Sequence, residues 1–294
     1  MLKKRVVATV VVKDGIVVQS INFKKFLPIG KPHIAIEYLN SWGIDEIILL
    51  DITATKDKRD PDFEMVKKCS EKCFVPLTVG GGINCIEHID KLMACGADKI
   101  ALNYAAIYSN NLITKAANKF GNQCVVLSID AVKIENKYKV YDYLNKKIVN
   151  ISPFDHAEKS IKLGVGEIFI NSVDRDGSYL GFDLDLITPI CQLNIPVVCC
   201  GGAKNAKDFS MIFEKSKVSG AAAANFFHFT EHSVIITKSA ISQENKIRIE
   251  THANYVDRSL DEFYRLNNID VSKSPYKLES ESIILKCLPK VFEP

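Results

Sequence analysis

Two glycine runs stand half a chain apart, each closing a short apolar segment. Thr78-Val79-Gly80-Gly81-Gly82 follows Val75-Pro76-Leu77, and Cys200-Gly201-Gly202-Ala203 follows Ile195-Pro196-Val197, with Pro76 and Pro196 separated by 120 residues. Gly43-Ile44-Asp45-Glu46-Ile47 returns as Gly164-Val165-Gly166-Glu167-Ile168 at a spacing of 121. Gly96-Ala97-Asp98-Lys99-Ile100-Ala101-Leu102-Asn103 is echoed by Ser219-Gly220-Ala221-Ala222-Ala223-Ala224-Asn225 at about 122. A repeat of this length means two copies of a supersecondary block. Each copy ends its third strand in glycines, which points to two pseudo-symmetric anion sites.

The periodicity identifies the block. Short β-branched runs at 5–12, 46–51, 75–80, 99–103, 124–130, 167–172, 195–200 and 219–225 predict strands. They are apolar nearly throughout, as strands covered on both faces should be. Helical periodicity fills 33–42, 60–73, 85–95, 112–120, 153–164, 184–193, 204–216 and 230–242, with Asn84, Asn205 and Thr230-Glu231 placed to begin helices. Eight strand–helix units in two similar halves predict an α/β chain folded as a (β/α)8 TIM barrel over residues 1–249. A doubly wound sheet would need a topological switch, and the repeat contains none. Residues 250–294 read as a C-terminal extension with one amphipathic stretch (Leu260, Phe263, Tyr264, Leu266).

Composition narrows the function classes. A net charge of +3, with lysines scattered and not interleaved with aromatics, argues against nucleic acid. No run approaches the roughly 18 apolar residues of a membrane span, and the chain opens into a strand rather than a signal peptide. Its nine cysteines lie mostly in apolar contexts without zinc spacing, which predicts reduced thiols, a cytoplasmic location and no metal. Nothing in the sequence calls for a cofactor.

In a barrel of this type the active site forms where strands end. The polar residues expected there are Asp51 and Thr53, Thr78 with Gly80 to Gly82, Asn103, Asp130, then Ser172, Asp174, Asp176 and Gly177, and finally Gly201, Gly202 and Asn225. Glycines let backbone N–H groups close on an anion, although a tight turn needs them too. Two such runs, each completed by an Asn at the next strand end, predict an elongated ligand with a phosphate at each end. Asp130 leaves the apolar strand Val125-Val126-Leu127-Ser128-Ile129, where burial raises a carboxyl pKa and suits it to proton transfer. A turn-capping aspartate is the alternative. At a spacing of 119 the repeat sets Val11 opposite Asp130. One half offers a carboxylate and the other a methyl-bearing side chain.

These residues carry a specific resemblance. Lys13-Asp14-Gly15, Leu50-Asp51-Ile52-Thr53-Ala54, Thr78-Val79-Gly80-Gly81-Gly82-Ile83, Gly96-Ala97-Asp98-Lys99, Ile129-Asp130-Ala131, Asp174-Arg175-Asp176-Gly177 and Phe227-His228-Phe229 together resemble the cyclase (synthase) subunits of imidazole glycerol phosphate synthase. The resemblance covers roughly residues 1–250. It implies a lyase-type subunit of histidine biosynthesis that forms a heterodimer with a glutaminase subunit. Ammonia arrives through the barrel to split and cyclise a bis-phosphorylated ribulosyl ligand. Carried over by position, one phosphate site would be Gly82, Asn103 and Tyr104, and the other Asp176, Gly177, Gly201, Gly202, Ala224 and Asn225. The ammonia gate would be Arg5, Glu46, Lys99 and Glu167, four charges at strand starts that also suit a structural salt-bridge ring. Asp98 would dock the glutaminase.

The chain departs from the family's pattern in three places. Val11 stands where the family has its second catalytic aspartate, and Ile16 and Gln19 stand where its mobile first loop has Arg and Lys. Valine transfers no proton at any pH, so the resemblance implies an impaired or changed cyclase step. An intact gate beside a damaged cyclase resembles paralogues that conduct ammonia from a glutaminase to an N-acetyl-sugar amidotransferase in surface polysaccharide biosynthesis.

Overall fold

The computed structural model describes residues 3–229 and 232–242. Eight parallel strands form a closed cylinder: β1 (Arg5–Lys13), β2 (Glu46–Asp51), β3 (Leu77–Gly80), β4 (Lys99–Leu102), β5 (Val125–Ile134), β6 (Glu167–Ser172), β7 (Val197–Cys200) and β8 (Gly220–Ala223). Each strand pairs with the next, and Arg5↔Gly220 through Ala8↔Ala223 closes β8 onto β1. The expected (β/α)8 barrel is the observed fold.

Side chains alternate between two apolar layers. Val6, Ala8, Val10, Ile47 and Leu49 point outward into the helical ring, while Val7, Ile48, Ala101, Val126, Phe169, Val198 and Ala222 fill the lumen. Both faces of every strand are therefore buried, and this is why the strand sequences lack polar alternation. β3 and β7 begin two residues later than expected. Pro76 and Pro196 still accept hydrogen bonds at their carbonyls, from Ile47 and Ile168, but neither has an N–H to pair.

The helices fall close to their expected positions, from Pro32–Ser41 through Ala206–Lys215 to Ser233–Ser242. Asn205 caps Ala206–Lys215 in a box with Asp208. Asn84 does not cap: the helix Ile86–Ala94 starts after Cys85, whose side chain makes no capping bond. Asn225 ends no strand either. It opens the one-turn helix Asn225–Phe229, because β8 stops at Ala223. Lys238 pairs with buried Asp45 at 2.6 Å, and Asp45 also accepts the Val6 N–H at 2.8 Å, which ties the helix Ser233–Ser242 to the start of β1. The expected helix start at Thr230-Glu231 and the amphipathic stretch near Leu260 lie outside the described residues.

Two hairpins lengthen the strands beyond expectation. After β1 the chain forms Ile16–Ile21 and Lys25–Gly30, and after β5 it forms Lys137–Asp142 and Lys147–Val149, all antiparallel. Ile16 and Lys137 are 121 residues apart, so the hairpins belong to the repeat. Both rise over the barrel's C-terminal end.

Candidate active site

At the N-terminal end of the lumen, the four charges expected to act as a gate form a closed ring. Arg5 bonds Glu46 at 2.5 Å and also reaches Glu167, while Lys99 bonds Glu46 at 2.8 Å and Glu167 at 2.7 Å. Thr78 adds a hydroxyl bond to Glu46 at 3.2 Å. Burial disfavours charge on Arg5, Lys99 and Glu167, yet the pairing wins. Arg5 and Lys99 are held above their ordinary pKa values by the two glutamates, and Glu167 below its own by Arg5 and Lys99. Two basic and two acidic side chains make up the ring, and every one of them is paired. Asp98 sits exposed on this end, and its carboxylate accepts the Leu77 N–H at 2.8 Å, so it caps the start of β3.

Above the ring comes the apolar lumen, and above that a polar mouth. A cavity of about 410 Å3 opens there, at the small end of the range usual for small-molecule sites. Val11 and Asp130 both line it. Asp130 is buried at the point where β5 and β6 pair, in register with Asn171. Asn103 donates to one carboxylate oxygen at 2.9 Å and Asn171 to the other at 3.3 Å. Burial pushes the Asp130 carboxyl up to about 7, against the pull of the two amides and with help from the charge of Asp176. A carboxyl poised there can hold or release a proton near neutral pH. Asp51 is differently employed: it takes the Thr53 and Ala54 amides and pairs with Arg59 at 2.6 Å.

The two glycine loops share a backbone shape. Gly81 and Gly201 have φ of 110° and 101°, and Gly82 and Gly202 of 72° and 96°. A Cβ on Gly81 would meet the Asp51 carbonyl at 2.2 Å, and one on Gly201 the Ser172 carbonyl at 2.7 Å. The turns themselves therefore require glycine. Their surroundings differ. Gly80, Gly81 and Gly82 face the cavity with Asn103, Tyr104, Lys58, Arg59 and Lys146, and the Gly82 N–H donates to Thr55 Oγ1 at 3.1 Å. Of the second expected phosphate site, Asp176 and Ala224 line the cavity, while Asn225 holds the first hairpin. Its amide accepts the Ser20 N–H at 3.2 Å and donates to the Ser20 carbonyl at 2.7 Å. Asp176 accepts from Ser20 Oγ at 2.6 Å and from the Phe23 N–H at 3.1 Å. Ile16 is exposed on this hairpin, and Gln19 is buried against the Tyr179 hydroxyl at 3.4 Å.

A ring of charges at one end of an apolar lumen and a buried acid at the other can be set beside known proteins. The histidine biosynthesis protein family matches residues 5–233. The chain belongs to this family. It is 40 % identical over 263 residues to a Vibrio vulnificus protein bearing the provisional name imidazole glycerol phosphate synthase subunit hisF2, covering 89 % of this chain and 97 % of that one. It is 41 % identical over 245 residues to the imidazole glycerol phosphate synthase subunit HisF of Streptococcus mutans, and 40 % over 247 to that of Clostridium botulinum, in each case over 83 % of this chain and 98 % of the relative.

Several residues of the mouth were not expected from sequence. Asn171 is a lone amide inside the apolar run Glu167-Ile168-Phe169-Ile170-Asn171, and that isolation was a usable signal. Ser20, Phe23, Phe26, Tyr141 and Tyr143 arrive on the two hairpins. Burial first, and the nearby Asp130 charge second, raise the Tyr143 phenol above its usual pKa, which keeps it a neutral donor. Among the described residues no cluster of metal ligands occurs, and no helix is long and apolar enough to cross a membrane.

Proposed function

We propose that this chain is the barrel subunit of a synthase of the imidazole glycerol phosphate type, receiving ammonia from a glutaminase partner at its ringed end. Its two-carboxylate cyclase step is impaired. The carrying observation is that Val11 and Asp130 share one cavity, so the acid at the mouth has a hydrocarbon where a second proton carrier would stand. The names of the relatives support the assignment to synthase subunits.

The lumen supports the ammonia route. Neutral ammonia crosses an apolar passage far more readily than ammonium, because burying an unpaired charge costs several kcal/mol or more. A ring whose four charges are already paired has none left to trap it. The mouth supports a phosphorylated ligand at Gly82, Asn103 and Tyr104, where Lys58 and Lys146 add positive charge. The absent carboxylate also favours a second reading, in which the ammonia leaves for an N-acetyl-sugar amidotransferase of surface polysaccharide biosynthesis.

Turnover of the bis-phosphorylated ribulosyl substrate with free ammonium salt tests the proposal. General acid–base groups typically contribute about 10²–10⁴-fold, so the unmodified chain should form little imidazole glycerol phosphate. Val11→Asp should raise the rate, and Asp130→Asn should abolish what remains. Robust turnover by the unmodified chain would overturn the impaired-cyclase reading and restore the ordinary synthase assignment.

A further inference from the structure

The second hairpin ends over the mouth, and one buried carboxylate decides how it is held there. Asp142 and Lys147 are the last paired residues, so Tyr143 to Lys146 form a four-residue loop. Asp142 is buried and accepts four hydrogen bonds. Its Oδ1 takes the Leu144 and Asn145 N–H groups at 3.0 and 3.1 Å, and these two bonds shape the loop. Its Oδ2 takes the Asn145 side-chain amide and the Tyr108 hydroxyl, both at 2.7 Å. Burial alone would raise the Asp142 carboxyl. The donors from Asn145, Tyr108 and Leu144 outweigh it and hold the group below its ordinary pKa. An ionised acceptor makes the Tyr108 bond a strong one.

That bond is the one of the four that leaves the loop. It crosses 34 residues to the helix Tyr104–Tyr108, where the Tyr104 and Tyr108 rings lie together with centroids 4.7 Å apart. Tyr143 and Lys146 line the cavity from the loop, and Asn103 and Tyr104 line it from the helix side. Lys146 stands at φ 52°, a left-handed conformation that Gly or Asn adopts at less cost than Lys. Strained residues of this kind cluster at ligand sites. We propose that Asp142 is a positioning residue of the mouth: with Tyr108 it fastens the second hairpin to the helix beside Asn103, and so holds the Lys146 ammonium group on a phosphate of the ligand. Asp142 itself touches no ligand and acts through Tyr108 and Lys146. The inference rests on the phosphate reading of Asn103 and Tyr104 given above, and it suits a bis-phosphorylated ligand, whose charge rewards a fixed cation.

Calorimetric titration with ribulose 1,5-bisphosphate tests this, with inorganic phosphate as a second probe. Lys146→Gln should weaken the bisphosphate about tenfold, the usual worth of a bond to a charged group. Tyr108→Phe keeps the ring against Tyr104 and removes only the hydroxyl. It should weaken the bisphosphate about threefold, with the melting temperature nearly unchanged. Once Lys146 is gone the hydroxyl has no cation left to position, so Tyr108→Phe/Lys146→Gln should match Lys146→Gln within about twofold. Asp142→Ala should follow the pattern of Tyr108→Phe, and if it does not fold, the Tyr108 cycle decides. A double variant about thirtyfold weaker than the unmodified chain, with the two effects simply multiplied, would separate Tyr108 from Lys146 and overturn the proposal. Full affinity in either single variant would overturn it too. If the unmodified chain binds neither probe, the phosphate reading of the mouth falls first, and this inference with it.

Discussion

Asp130 is the buried acid of the mouth, and its environment sets a measurable pH signature. Its carboxyl titrates near 7 in the folded chain, against an ordinary value of 3.8, with burial the largest cause. The folded state therefore binds this proton more tightly than the unfolded state. Stability from this group is fully present below about pH 4 and is lost as pH rises toward 7. Asp130→Asn removes the buried charge, and Asn103, whose Oδ1 has no partner, can turn its amide to accept from the new side chain. The variant should be more stable than the unmodified chain by about 1–3 kcal/mol at pH 8, with the gap closing toward pH 5, as read from urea midpoints. An unchanged midpoint at pH 8 would show that water or a cation already compensates the charge. The acid itself was legible in the sequence, as a carboxylate leaving an apolar strand. Its two amide donors were less so, since Asn103 read as a phosphate ligand and Asn171 passed as strand interior.

Elements were legible wherever the apolar period was long. The eight barrel strands and the main helices lie within a few residues of where the periodicity puts them, and the misses share a cause. The two hairpins and the helix Tyr104–Tyr108 are short and mixed in polarity, so no period marks them, and tertiary contacts decide their shape. The glycine turns belong to this scale as well. Gly81→Ala must resolve a contact of 2.2 Å with the Asp51 carbonyl at φ 110° and should cost about 3 kcal/mol or more. Gly15→Ala has open space at φ 77°, so only the backbone penalty of about 1 kcal/mol applies. Comparable thermal melts for the two variants would refute the steric account of the glycine run. At the ringed end, Asp98 both caps β3 and offers charge, and Phe74 stands 84 % exposed in the loop before it. Asp98→Asn keeps an acceptor for the Leu77 N–H while removing the charge. It should slow association with a co-expressed glutaminase more than it lowers the melting temperature. Phe74→Ala should weaken the complex with no loss of fold. If neither variant alters co-purification, the glutaminase docks elsewhere.

Across the whole molecule, the ring and the mouth are separated by the length of β1 from Arg5 to Val11, roughly 20 Å at the usual rise per strand residue. The internal repeat foretold the closed barrel, since two similar four-strand halves pair edge to edge. The sequence could not say whether the ring is a device or a brace, since paired charges at strand starts serve either purpose. Energetics separate the two. Removing one member leaves its partners buried and uncompensated, so Glu167→Gln should cost about 2–4 kcal/mol at pH 7. Glu167 is held below its ordinary pKa in the fold, so its contribution is present above pH 4.5 and fades as pH falls through the folded value. The two proteins should therefore converge in stability as pH falls below 4.5 and through the depressed folded value. Replacing all four together, as Arg5→Met/Glu46→Leu/Lys99→Met/Glu167→Leu, leaves no orphaned charge. Such apolar exchanges are often neutral or stabilising by about 1–4 kcal/mol, so this variant should melt close to the unmodified chain. If the ring is a device that admits ammonia, transfer should fail all the same. In a Val11→Asp background with the glutaminase bound, product formation from glutamine should drop at least tenfold, while product formation from ammonium salt stays unchanged. Equal losses from both nitrogen sources would place the damage at the mouth. Retention of both would make the ring a brace, and the route for ammonia would then have to enter the barrel by another path.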